Sequence, residues 1–371
     1  MFGFILAASL VIILTPLMVR LARLMGIVDR PTDERRMHVS TTPLLGGLGI
    51  FAAVVIPMLA LIDKPDPATC AILVGGTIIT VVGLLDDSFD INPLLKFAGQ
   101  LAAIAVVISF GLEIDRVSLP LSDTVVVLPQ AIAIPLTVLW IATIINMVNF
   151  IDGLDGLAAG VCAISAVTFC VIALSLNRGP MGITSAILAG AAFGFLRFNF
   201  HPASIFMGDA GSMFLGFTLA VISVQGVLKG AASVALIFPL LVLGLPFFDL
   251  FLAVVRRWRK GVPFYEASKD HVHHALVLEA GFTQRKTVLL LYGWCVLLNG
   301  FALAMRFRAP IAMAVVGAAA AAATILMLRL LFRYRADERT EKEISDTLTS
   351  MRVYQVERRR ARGRARRRSE H

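Results

Sequence analysis

Long apolar runs dominate this chain, and they restrict it to one kind of architecture. The runs approach the ~20 residues that cross the hydrocarbon core of a bilayer. Because lipid offers the backbone no hydrogen-bond partner, such runs must be helical. We therefore predict an all-α polytopic membrane protein. Its expected spans, about eleven in number, are 2–24, 45–63, 68–85, 94–112, 129–148, 157–176, 182–196, 211–228, 232–255, 286–305 and 310–332.

Lysine and arginine predict how these spans are oriented. Most of the 34 Lys and Arg residues fall in the loops after odd-numbered spans and in the C-terminal tail. Basic loops stay on the cytosolic side of a membrane. We therefore expect an N-terminus outside, on a retained first helix, and a C-terminus in the cytosol.

The C-terminal tail has a different character from the rest of the chain. We predict a membrane domain at 1–335 and a basic, disordered cytosolic tail at 336–371. The segment 358–368 reads RRRARGRARRR. It suits docking to anionic lipid headgroups, at roughly 1 kcal/mol per basic residue. It equally suits a solvated anchor that fixes topology. A tail tethered to a membrane is not expected to bind nucleic acid.

Carboxylates gather at the span ends that the charge rule places in the cytosol. The first group is Asp86, Asp87 and Asp90, in the sequence GLLDDSFDINP. If the third helix continues for one more turn, Asp86 shares a face with Asp90 four residues later, and so does Asp87 with Asp90 three residues later. Adjacent carboxylates repel each other unless a cation or a proton lies between them. This group is therefore a candidate Mg²⁺ site, and its alternative is a solvated helix end.

A second polar group repeats every three residues in NMVNFIDGLDGLAAG. Asn146, Asn149, Asp152 and Asp155 would line one side of a helix end or turn. We also expect Asp155 to cap the following helix. Capping needs one residue, however, so four in register favour a binding site.

Asp209 forms a third acidic position, between glycine and small residues at the entry to the eighth span. A helix N-terminus favours anions, so a carboxylate there suits a metal that bridges to phosphate. The alternative is an N-cap.

The last cytosolic loop carries histidines and cations. His271, His273 and His274 lie in a region that also contains Arg256. Because the neighbours are basic and no cysteine set accompanies them, a zinc site is disfavoured. Cations and imidazoles together suit a pyrophosphate. The first cytosolic loop adds His38.

Carboxylates for a divalent metal, with cations and imidazoles on one membrane face, are typical of phosphoryl transfer. The membrane location implies that one substrate is a lipid. The rival is an ion-coupled transporter, since intramembrane acids also mark ion pathways. That rival predicts acids at mid-span, where Asp249 is the main example.

The motifs resemble those of a known family, the polyprenyl-phosphate N-acetylhexosamine-1-phosphate transferases, which form the WecA/TagO branch of the MraY-like superfamily. The resemblance runs from about residue 28 to about residue 332. Five motifs in order carry it: His38…Pro43-x-x-Gly46-Gly47, Asp86-Asp87-x-x-Asp90, Asn149-x-x-Asp152-Gly-x-Asp155-Gly, Asn199-x-x-Pro202…Gly208-Asp209, and His271-x-His273-His274. This chain departs from many relatives at Ala275, where they have arginine.

The resemblance implies a bacterial plasma-membrane enzyme whose helices surround a cytosolic cleft. It implies Mg²⁺, with Mn²⁺ as an alternative, and transfer of GlcNAc-1-phosphate or a related sugar phosphate from a UDP-N-acetylhexosamine to polyprenyl phosphate. It leaves a homodimer open. The roles it implies are metal ligation by Asp209, catalysis by Asp86, Asp87 and Asp90, and substrate binding by His38, Asn149, Asp152, Asp155, Asn199, Arg256, His271, His273 and His274.

Two mechanisms stay open at this point. The lipid phosphate is largely anionic at pH 7, since its second pKa is near ~6, and can attack the sugar-bearing phosphorus directly. Asp86 would then orient it or take its residual proton. The alternative is a covalent aspartyl-phosphate intermediate.

Overall fold

A computed structural model describes residues 1–29, 41–118, 125–228, 237–260 and 271–330. Within these ranges the regular secondary structure is helical apart from two small hairpins, which confirms the predicted all-α class. Strand β1 (Val28–Asp29) pairs with β2 (Thr42–Pro43), and β3 (Arg116–Ser118) pairs with β4 (Val125–Val127), both antiparallel. His38 and the tail from 336 lie outside the described residues.

The helices follow the predicted spans in chain order. They are α1 Phe2–Met25, α2 Gly46–Leu61, α3 Pro67–Phe89, α4 Pro93–Ser109, α5 Gln130–Ile151, α6 Leu157–Ser175, α7 Gly179–Asn199, α8 Gly208–Ile222, α9 Ile237–Val242, α10 Gly244–Lys260, α11 Val272–His274, α12 Gln284–Arg306 and α13 Pro310–Leu330. Seven of them, namely α1, α3, α5, α6, α7, α12 and α13, are long and apolar enough to cross a membrane. The apolar α2 and α4 are shorter.

Helix α8 lies at the centre of the bundle. It packs against α3 and α5, and α2 also contacts it. All its side chains from Ala210 to Ile222 are buried. Small residues permit this close packing, because a side chain at Gly47 or Gly83 would collide with the backbone at Gly211 or Ala210. The first turn of α8 is thereby fixed between α2 and α3.

The predicted ninth span is not one continuous helix. Within its described part, α9 ends at Val242 and α10 begins at Gly244. Pro246 has no N–H to donate to the carbonyl four residues earlier. That carbonyl, on Val242, accepts instead from Ser165 Oγ at 3.0 Å and Asn299 Nδ2 at 3.1 Å. Two other helices thus satisfy the backbone where proline interrupts the ladder.

From α3 to α8, the ends of successive helices alternate between the two ends of the bundle. The C-terminal ends of α3, α5 and α7 therefore meet the N-terminal ends of α4, α6 and α8. The acidic loops of the sequence follow or precede these helix ends. They consequently converge on one cleft.

Candidate active site

A cavity of about 890 Å³ opens where these helix ends meet. Its volume is within the range of small-molecule sites. The cavity brings together nine of the predicted site residues: Asp86, Asp87, Asp90, Asn149, Asp152, Asp155, Asn199, Asp209 and His274. The polar groups singled out in distant parts of the sequence therefore belong to one site.

Helix α3 continues to Phe89, so the additional turn considered for the first acidic group is present. Asp90 is its C-cap in the left-handed conformation, and its N–H donates to the Asp86 carbonyl. Asp86 and Asp87 are both half-buried in the last turn. The three carboxylates share the cleft, but their contacts differ.

Asp87 caps helix α8 from outside that helix. Its Oδ1 accepts from the Asp209 N–H at 2.8 Å, and its Oδ2 accepts from the Ala210 N–H at 3.1 Å. These N–H groups have no partner within α8, since they belong to its first turn. Gly208 lies against the carboxylate and has a φ of 63°. The N-cap alternative for Asp209 is wrong, because Met207 is the N-cap and Asp209 lies in the first turn.

Lys96 connects two of the carboxylates. Its Nζ lies 3.0 Å from Asp86 Oδ2 and forms an ion pair with Asp209 Oδ2. The second Asp209 oxygen accepts from Asn149 Nδ2 at 2.8 Å. Lys96 was not predicted as a site residue, because a single lysine at the start of a span is ordinarily explained by membrane topology. Its position ten residues after Asp86 across a tight turn was the available signal.

Asp155 and Asn199 use their polar atoms to shape the loops of the cleft. Asp155 Oδ2 lies 2.7 Å from His201 Nδ1 and accepts from the Ala203 N–H at 3.0 Å. Asn199, 1% exposed, accepts from the Gly156 N–H at 3.1 Å and donates to the Ile205 carbonyl at 3.0 Å. The predicted cap on α6 is wrong, since its N-cap is Gly156 without a side-chain bond.

Asp152 has a different environment from Asp155. Burial first, and then the negative charges of Asp87 and Asp155, raise the pKa of Asp152 well above its usual value. A carboxyl group of this kind binds a proton at a pH where an ordinary aspartate has lost it. It can therefore donate a hydrogen bond to a ligand in the cavity.

The histidine segment forms one wall of the cleft. A side chain at Gly153 would lie 2.5 Å from His273 Nε2 and 3.4 Å from His274 Nε2, so only glycine allows this approach. Burial is the largest influence on His273 and lowers its pKa to about 3. The negative charge of Asp249 acts in the opposite direction, and the neighbouring imidazoles lower the pKa further. His273 is therefore neutral at physiological pH.

Three predicted residues do not line the cavity itself. Among the described lining residues, Arg256, His271 and His273 are absent. Arg256 lies buried in α10, and His271 precedes α11 as its N-cap. Gln284, at the start of α12, does line the cavity and was not singled out from the sequence.

Comparison with known proteins places this site in a family. A protein of Bacillus subtilis described as a probable undecaprenyl-phosphate N-acetylglucosaminyl 1-phosphate transferase is 40% identical over 290 residues, 78% of this chain and 80% of its own length. The chain belongs to the polyprenyl-phosphate N-acetylglucosamine-1-phosphate transferase family. The family model described as glycosyl transferase family 4 matches residues 69–227.

More distant relatives agree. The decaprenyl-phosphate N-acetylglucosaminephosphotransferase of Mycobacterium tuberculosis is 36% identical over 343 residues, 84% of each chain. The undecaprenyl-phosphate alpha-N-acetylglucosaminyl 1-phosphate transferase of Escherichia coli is 28% identical over 281 residues, 73% of this chain and 74% of its own length. The predicted enzyme class is thus confirmed, and nothing in these relatives supports a transporter.

Proposed function

We propose that this membrane enzyme transfers GlcNAc-1-phosphate from UDP-GlcNAc to a polyprenyl phosphate at the cytosolic face and releases UMP. The main support for this proposal is that Lys96 contacts both Asp86 and Asp209 in a cleft large enough for a nucleotide sugar. The names of the relatives, which specify undecaprenyl or decaprenyl phosphate as acceptor, support the lipid substrate.

Asp209, whose carboxylate shares Lys96 with that of Asp86, would hold a divalent cation, Mg²⁺ or Mn²⁺. Oxygens of both carboxylates already face one cation there, the Lys96 ammonium. The described residues contain no group of three or more metal-ligating side chains of His, Cys, Asp or Glu. Mg²⁺ commonly takes only one or two carboxylates and completes its shell with waters and substrate phosphates. When bound, the ion would neutralise charge on the diphosphate.

The chain's own residues favour direct attack over a covalent intermediate. Both Asp87 oxygens accept backbone N–H groups, so this carboxylate is held as a cap and is poorly placed as a nucleophile. Asp86 instead shares Lys96 with Asp209. Asp86 would orient the lipid phosphate or accept its residual proton, and Lys96 would offset the charge of the incoming phosphates.

The transfer forms one P–O bond and breaks another. One oxygen of the lipid phosphate forms a bond to the sugar-bearing phosphorus, and the bond from that phosphorus to the UMP oxygen breaks. UMP leaves with the electron pair. Positioning and charge neutralisation supply most of the acceleration in such transfers.

The nucleotide sugar would lie along the other side of the cavity. There Asp152, Gln284 and His274 line the space, while Asp155 and Asn199, which also line it, bond to the adjoining loops. We assign donor contacts to the first three residues and loop positioning to the other two.

A donor screen tests this function. Purified enzyme with polyprenyl phosphate should release UMP from UDP-GlcNAc faster than from UDP-GalNAc or UDP-MurNAc-pentapeptide. Preference for either competitor would overturn the donor assignment, and release without lipid phosphate would overturn the acceptor assignment.

The metal is tested separately. EDTA should abolish turnover, and Mg²⁺ or Mn²⁺ should restore it. Asp209→Asn should remain inactive at every metal concentration while it still folds, as judged by its elution profile in detergent. Activity near that of the wild type in EDTA would contradict the metal site.

A further inference from the structure

Asp249 is a buried carboxylate outside the cleft. It is 3% exposed, within α10. The small apolar pocket around it is lined by Ile151, Leu157, Leu245, Val272, His273, Leu291 and Trp294. An acid in such surroundings calls for an explanation, because burying a charge without partners is costly.

Both oxygens of Asp249 contact the start of the histidine segment. Oδ2 lies 2.6 Å from His271 Nδ1, and Oδ1 accepts from the Val272 N–H at 2.5 Å. These partners are 22 and 23 residues away in the sequence. One contact sets the direction of the imidazole ring, and the other sets the direction of the backbone where α11 begins.

The contacts continue from His271 to the wall of the cleft. The His271 ring stacks on that of His273 at a centroid distance of 5.6 Å and an angle of 17°. It also lies 5.6 Å from Phe150, two residues before Asp152. His273 and His274 then face Gly153. A change in the orientation of His271 would therefore move the side of the cavity that His274 lines.

Stability alone does not account for this carboxylate. Replacement of all partners of a buried ionic contact by well-packed apolar residues is often neutral or stabilising, so a fold does not need such a contact for its stability. An apolar side chain at position 249 would match its surroundings, yet it could not fix the ring of His271. The geometry is thus explained by positioning.

We propose that Asp249 is a positioning residue that holds the His271–His274 segment against the donor side of the cleft. This role rests on the proposed function, since it assumes that the histidine wall contacts the UDP-sugar. Asp249 touches no substrate in this scheme and acts through His271.

Two variants separate positioning from stability. Asp249→Asn keeps the shape and loses the charge, whereas Asp249→Leu suits the apolar pocket and removes both contacts. In both, the KM for UDP-GlcNAc should rise ~10-fold or more, the order expected for a lost hydrogen bond to a charged group. The KM for polyprenyl phosphate should stay near that of the wild type. Asp249→Leu also leaves the Val272 N–H buried without an acceptor, so its Tm should fall; the donor KM then decides whether the residue positions the segment.

A matched control lies at the far end of α12. Arg306 donates two hydrogen bonds to Ser175, from Nε and Nη2, each at 3.0 Å. Arg306→Gln also breaks two hydrogen bonds between helices, α12 and α6. Residue 306 lies about 33 Å along α12 from Gln284, which lines the cleft. This variant should lower the Tm without changing the donor KM. If Asp249→Asn and Asp249→Leu behave like this control, the positioning role is wrong.

A double-mutant cycle tests the route through His271. If Asp249 acts through that ring, His271→Gln combined with Asp249→Asn should raise the donor KM no further than Asp249→Asn alone. Independent effects would instead multiply. Multiplication of the two effects would contradict the proposal.

A chemical readout is independent of the transfer reaction. Diethyl pyrocarbonate modifies accessible neutral imidazoles, and the tryptic peptide 270–285 contains all three histidines. Their modification should be faster in Asp249→Asn than in the wild type or in Arg306→Gln. Equal rates would overturn the positioning role. Absence of UMP release from the wild type would instead reject the proposed function.

Discussion

Lys96 and Asp209 form an ion pair across 113 residues of sequence. The same ammonium reaches Asp86, so one cation serves two carboxylates that belong to different helices. Lys96 begins the second turn of α4, immediately after the tight turn that ends α3. The site is therefore assembled by a turn of the chain together with one long-range contact.

Lys96→Met tests whether this cation takes part in the transfer. We expect kcat to fall by ~10²-fold or more, the scale for loss of one preorganised electrostatic group. Mg²⁺ should bind more tightly, because a competing cation is removed from Asp209. Rate measurements against Mg²⁺ concentration check both effects. Lys96→Arg serves as the control that keeps the charge, and weaker Mg²⁺ binding in Lys96→Met would contradict the shared site.

Asp87 and Asp86 should respond differently to the same substitution. Asp87→Asn leaves one of the two N–H groups at the start of α8 without its acceptor. The loss of a cap costs ~1 kcal/mol, so the Tm should fall along with the activity. Asp86→Asn should reduce kcat by ~10²-fold or more, as for general-base loss, with little change in Tm. Single-turnover rates and thermal unfolding in detergent distinguish the two, and equal Tm values would contradict the capping role.

His273 should make the fold sensitive to acid. Its pKa is lowered from 6.5 to about 3 in the folded protein, chiefly by burial. Between these values the unfolded chain binds a proton that the folded protein does not, so stability is lost as the pH falls through 6.5. The slope is at most ~1.4 kcal/mol per pH unit for one group. His273→Asn should therefore show a smaller drop in Tm from pH 7.5 to pH 5 than the wild type, and parallel curves would count against this account.

Asp152 and Asp155 form a matched pair of neighbouring carboxyl groups. Because the pKa of Asp152 is raised, the neutral amide in Asp152→Asn imitates its protonated form. The KM of Asp152→Asn for UDP-GlcNAc should therefore approach the wild-type value as the pH is lowered and the wild-type carboxyl group takes up its proton. Asp155→Asn loses the carboxylate that holds His201 and Ala203. There we expect about a tenfold rise, and the reverse ranking would show that the assignments are exchanged.

Orientation in the membrane is tested by labelling introduced cysteines. In a background without the native cysteines, Phe89→Cys beside the cleft and Asn177→Cys at the other end are both exposed positions. A membrane-impermeant maleimide should label Asn177→Cys in intact cells and Phe89→Cys only in opened membranes. Labelling of Phe89→Cys from outside would place the active site on the wrong face.

The sequence predicted the fold class because the length of an apolar run is a local property of the chain. It also predicted most of the cleft, since Asp86, Asp152 and Asp209 stand at span ends that one charge rule places together. Lys96 escaped notice because its meaning depends on Asp209, which no local pattern connects to it. Asp249 was noticed only as an acid away from the others.

The break in the ninth span shows a second limit of sequence reasoning. Hydropathy treats 232–255 as one apolar run and does not register the missing N–H of Pro246. Its consequence appears at Val242, whose carbonyl is shared by two distant helices. Such a contact is set by tertiary packing and not by any spacing in the chain.

That shared carbonyl ties the permitted residues at three positions to one another. Ser165 and Asn299 have an acceptor at Val242 only because position 246 is a proline. If another residue replaced Pro246, its N–H would compete for the Val242 carbonyl. The hydrogen bonds from the Ser165 hydroxyl and the Asn299 amide would then stabilise the fold less. Among relatives of this enzyme, proline at 246 should thus be inherited together with polar side chains at 165 and 299. Where that proline is absent, alanine should become acceptable at position 165 and leucine at position 299. Three residues far apart in the sequence would then change over time as one unit.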